Sequence, residues 1–78
     1  MSSMLQYTIN LRPEPEGGYT VLVPALPEVV TYGETEEEAL RMAHEAIEVA
    51  LEVRRDEGDE IPADVVPLVR TVTIQQAA

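Results

Sequence analysis

The chain has 78 residues, with 15 Asp and Glu against 5 Arg, no Lys and no Cys, for a formal net charge of −10. That length allows one small domain over 1–78. The acidity opposes direct nucleic-acid binding and anionic membrane surfaces, both of which need cations.

A hydrophobic content of 45% is that of a folded chain and not of a disordered one. The core of so short a chain is marginal, and without Cys neither disulfides nor thiolate metal sites can staple it. Self-association, at least to a dimer, is the expected remedy. The N-terminus has no cationic leader pattern, and no apolar run approaches the roughly 20 residues of a membrane span. A cytoplasmic protein is expected, and its charge favours a basic partner.

The elements follow in chain order. Leu5, Tyr7, Ile9 and Leu11 alternate with Gln6, Thr8, Asn10 and Arg12, which predicts a half-buried strand over about 4–12. Pro13 to Gly18 cannot continue it, and a second strand over 19–23 completes a hairpin. Pro24 and Pro27 interrupt the chain before a short third strand over 29–32. Thr35 followed by Glu38 is a capping box, and Glu36, Glu37 and Glu38 suit the positive end of a helix dipole. Arg54 and Arg55 suit the other end, and Gly58 suits the left-handed position beyond it. A helix over 36–57, roughly 33 Å long, is predicted.

At 100° per residue, Ala39, Leu40, Ala43, Ala46, Ile47, Ala50 and Leu51 form one apolar arc, with Glu37, Arg41, Glu45, Glu48 and Glu52 opposite. Met42, Val49 and Val53 widen that arc to roughly 200°, more than one small sheet needs. These three are the candidate self-association flank. Alternation resumes over 69–75 and predicts a fourth strand. The order β-β-β-α-β gives an α+β, two-layer fold: a small, mainly antiparallel sheet with one long helix packed on one face.

The residues offer no catalytic set. Without Cys, a nucleophile would have to be Ser2, Ser3 or a Thr near His44, the single imidazole. One His and no Cys is unlike the common zinc ligand sets. A two-metal nuclease needs carboxylates converging from rigid strands, and the first, second and fourth predicted strands contain none. Gly17-Gly18 leads into a strand and lacks the helix dipole of a phosphate-binding loop. No cofactor is implied.

Taken together, Gly17-Gly18-Tyr19, Val23-Pro24, Leu26-Pro27, Thr31, Gly33, Thr35, Glu37-Glu38-Ala39, Glu45-Ala46-Ile47, Gly58 and Ile61-Pro62 resemble the HicB antitoxin family. The resemblance spans Gly17 to Pro62, about three fifths of the chain. Pro27-Glu28-Val29 departs from it where the family usually has Gly, and Glu34 replaces the usual Asp before the cap. Many HicB proteins carry a C-terminal DNA-binding domain, and the sixteen residues after Pro62 are expected to supply a strand instead.

The resemblance implies a degenerate ribonuclease H-like fold and a role in neutralising HicA, a small basic ribonuclease toxin, by masking its catalytic face. The Pro24, Leu26, Pro27 and Glu28 turn is the candidate contact, since the helix core does not claim it. The alternatives are an orphan dimeric HicB-like regulatory or scaffold domain without a toxin, and a metal-dependent nuclease on the same frame.

Overall fold

The computed structural model describes residues 4–77. Strand β1 (Asn10–Pro13) pairs antiparallel with β2 (Tyr19–Leu22), which pairs antiparallel with β3 (Val30–Gly33), so the sheet order is β1-β2-β3. Leu11 stands opposite Val21, and Val21 opposite Thr31. The hairpin loop closes where the Gly17 N–H donates to the Glu14 carbonyl at 3.0 Å, with Pro15 preset for the second position of that turn. Gly17 and Gly18 then take φ of 107° and 80°, a region that favours glycine.

Helix α1 (Glu36–Asp56) starts and stops as the sequence dictates. The Thr35 hydroxyl accepts the Glu38 N–H at 3.0 Å. The return arm of the expected capping box is shifted by one residue, for the Glu38 carboxylate accepts the N–H of Glu34 at 3.1 Å. At the other end the Gly58 N–H donates to Arg55 and the Asp59 N–H to Arg54, with Gly58 at φ 75°. That bonding is a Schellman motif and halts the helix one residue before the expected 57.

The helix lies across β3 and β2. Ala39 and Ala43 are buried with Val21, while Ala50 and Leu51 are buried with Val23, Leu26 and Val29. Small side chains let the backbones approach closely: a methyl group added at Gly33 would collide with the backbone of Ala39.

Two expectations need correction. The first strand begins at Asn10 and not at residue 4. Its ladder would continue from Asn10–Leu22 to Ile9–Val23 and Thr8–Pro24, but Pro24 has no N–H and turns the partner chain away. Tyr7 and Ile9 still pack on the core.

The fourth strand, 69–75, is absent: the residues after Pro62 carry no secondary structure among those described. Leu68, Val72 and Ile74 are 78%, 77% and 74% exposed. A strand exists only against a neighbour, and this segment has none among the described residues. The described order is therefore β-β-β-α, still a two-layer α+β arrangement.

Candidate functional site

The turn between β2 and β3 is two β-turns in succession. The Leu26 N–H donates to the Val23 carbonyl and the Val29 N–H to the Leu26 carbonyl, both at 2.9 Å. Pro24 and Pro27 occupy the second position of each, where a φ near −65° is required. The spacing sends Val23, Leu26 and Val29 into the core together. It leaves Pro27 and Glu28 exposed and Pro24 half-buried.

Leu26, expected at the contact surface, is instead fully buried. Both residues between the turn prolines, Ala25 and Leu26, are buried, and Leu26 joins the core cluster. The surface part of the candidate contact is thus Pro24, Pro27 and Glu28. The two prolines border a shallow hollow of about 320 Å³ with Asn10 and Leu22.

Glu28 is held by α1. Arg54 Nε lies 2.7 Å from one carboxylate oxygen and Nη2 2.9 Å from the other, the bidentate geometry that guanidinium favours. These bonds, helped by the Glu28 N–H, draw its pKa from the ordinary 4.5 to about 2. Arg54 Nη1 also reaches the Glu60 carbonyl at 3.4 Å. One side chain thereby ties the helix end to the turn and to the segment that follows. The sequence signalled only that Arg54 suits a helix terminus; a partner 26 residues away leaves no local pattern.

A second tie joins the segment before β1 to the segment after α1. Asp64 accepts both the N–H and the hydroxyl of Thr8 at 2.7 Å, which lowers its pKa. Beside it the Tyr7 hydroxyl donates to the Pro62 carbonyl at 2.6 Å.

The proposed self-association residues are brought together. Met42, Val49 and Val53 line a groove of about 500 Å³ between α1 and β3, with Val30, Ala46 and Glu45. Val49 is 59% and Val53 47% exposed, whereas Met42 is half-buried. A smaller groove of about 320 Å³ lies on the opposite flank of α1, lined by Tyr7, Leu40, His44 and Ile47. His44 is exposed there, its Nδ1 3.2 Å from the Glu48 carboxylate. Among the described residues no three His, Asp or Glu converge as a metal set. No helix among them is long and apolar enough to cross a membrane.

Comparison with known proteins places this geometry in context. Residues 7–76 match the family described as HicB-like antitoxin of bacterial toxin-antitoxin system. Antitoxin HicB 1 of Photorhabdus laumondii is 43% identical over 58 residues, covering 74% of this chain and 37% of that protein. Antitoxin HicB of Escherichia coli K12 is 38% identical over 58 residues, covering 74% and 42%. The chain thus spans about two fifths of the length of these antitoxins. UPF0150 protein Ta0767 of Thermoplasma acidophilum is 38% identical over 60 residues, covering 77% of this chain and 87% of that protein.

Proposed function

Because the chain belongs to the HicB-like antitoxin family, we propose that it is a non-enzymatic, cytoplasmic protein-binding module that neutralises a small basic ribonuclease toxin of the HicA type by covering its catalytic face. The family match over 7–76 carries this reading. Supporting it is a net charge of −10, with Glu37, Glu45, Glu48 and Glu52 exposed along the outer side of α1. Complementary charge speeds encounter with a cationic partner and competes with RNA for the same surface. Pro24, Pro27 and Glu28 supply a rigid contact, because their turn is locked by the prolines and by Arg54.

The test is capture of the tagged chain from its own organism, followed by an RNA-cleavage assay on whatever co-purifies. The expected result is a stoichiometric small basic protein whose cleavage activity the chain suppresses, with Pro27→Arg weakening suppression by about tenfold. A captured protein that cleaves RNA equally well with and without the chain would overturn the reading. Recovery of the chain alone would favour the second reading, an orphan dimeric regulatory or scaffold domain, to which the open Met42–Val49–Val53 groove lends support.

A further inference from the structure

Two incomplete surfaces stand out, and each has what the other lacks. The first is the segment 68–75. Leu68, Arg70, Val72 and Ile74 alternate with Val69, Thr71, Thr73 and Gln75, a strand pattern with an apolar side. The segment nevertheless stands off the body. The molecule measures 60 × 25 × 21 Å, against roughly 32 Å for the 21-residue helix.

The β1 edge of its own sheet cannot take it in. Asp64 is fixed beside Thr8, so a strand running on along that edge passes Ile9 to Pro13 in one direction or Tyr7 to Met4 in the other. Five residues at most find neighbours either way, and Pro67, which has no N–H, is among them. Residues 70–75 are left over.

The second surface is the outer edge of β3. That strand is paired on one side only, so its other side presents unpaired backbone groups. Alongside runs the 500 Å³ groove with Met42, Val49 and Val53 on its helix wall. A strand added there puts alternate side chains against α1, which suits the spacing of Leu68, Val72 and Ile74. The groove is also lined by Glu45. Arg70, on the same side of the segment, has no carboxylate partner among the described residues, its Nη1 meeting only the Val69 carbonyl at 3.0 Å.

We infer that the occupant of this groove is residues 68–75 of a second copy of the chain, added as a fourth strand on β3, with Arg70 facing Glu45 and the exchange reciprocal. The two copies then share one contact type, as a two-fold dimer requires. The pairing concerns the chain alone and does not depend on any toxin.

The absence of Cys makes a direct test available. Val49→Cys and Val72→Cys chains, each with a different tag, are mixed at tens of micromolar and gently oxidised. The expected product is the 49–72 heterodisulfide. A product dominated by 72–72 disulfides, meaning segment against segment, would overturn the inference, as would sedimentation of the unaltered chain as a monomer.

In parallel, Val72→Asp with Ile74→Asp alters only exposed positions and keeps the helical circular dichroism while abolishing the dimer; a dimer that persists would overturn the inference. Glu45→Arg and Arg70→Glu each weaken dimerisation by about fivefold, and the double reversal restores it. Net charge alone predicts that Glu45→Arg strengthens the dimer, so that outcome would also overturn the inference.

Discussion

The guanidinium of Arg54 grips both carboxylate oxygens of Glu28, 26 residues earlier in the chain, and fastens the end of α1 to the double turn. Because the folded carboxyl titrates near 2 and the unfolded one near 4.5, its contribution to stability is complete above pH 4.5. It is lost as pH falls through 4.5 towards 2. Arg54→Ala is expected to lower the unfolding midpoint at pH 7 by about 2–5 °C. The difference from the unaltered chain should vanish in thermal scans near pH 2. Equal differences at both pH values would show that Arg54 acts by packing and not by charge.

The same pair separates holding from touching. Glu28→Arg places two cations side by side, which should cost both stability and the proposed toxin suppression. Reversing both, Glu28→Arg with Arg54→Glu, should restore the midpoint while suppression stays impaired by about tenfold, as measured by RNA cleavage. Recovery of both properties would mean that Glu28 only braces the turn.

At Gly33 the constraint is spatial. A methyl group there meets the Ala39 backbone, so Gly33→Ala must push α1 off the sheet. Overpacking of this kind costs about 1–3 kcal/mol, which urea denaturation should report as a lower midpoint.

Leu26 fills the centre of the larger core cluster and is completely buried. Leu26→Ala is expected to destabilise the chain by about 2–5 kcal/mol, a large share of what so small a domain possesses. A variant that instead kept its stability and lost only partner binding would return Leu26 to the surface role that its sequence position suggests.

What could be read in advance followed how local each signal is. Thr35, Glu38 and Gly58 mark the helix through contacts within four residues, and its boundaries agree to one residue. The three-strand order and the two-layer architecture followed from alternation and turn residues. Alternation alone overextends the first strand, because its length depends on Pro24 opposite Thr8, a pairing between segments distant in sequence. Residues 69–75 have a strand's alternation, but alternation says nothing of whether a neighbour exists. The burial of Leu26 is illegible for a related reason: prolines on either side mark a turn without saying which residue faces inward. Met42, Val49 and Val53 do share one groove, since helical spacing is fixed by geometry.

The row of carboxylates along the outer side of α1 has one more consequence, because like and unlike partners respond oppositely to dissolved ions. Two copies at −10 each repel, and counter-ions at 0.15 M, where the screening length is about 8 Å, relieve that repulsion. The cationic toxin proposed as partner would be attracted by the same field and would lose that attraction as salt rises. On the proposed pairings, rising ionic strength is therefore expected to favour the chain's own dimer and falling ionic strength the toxin complex.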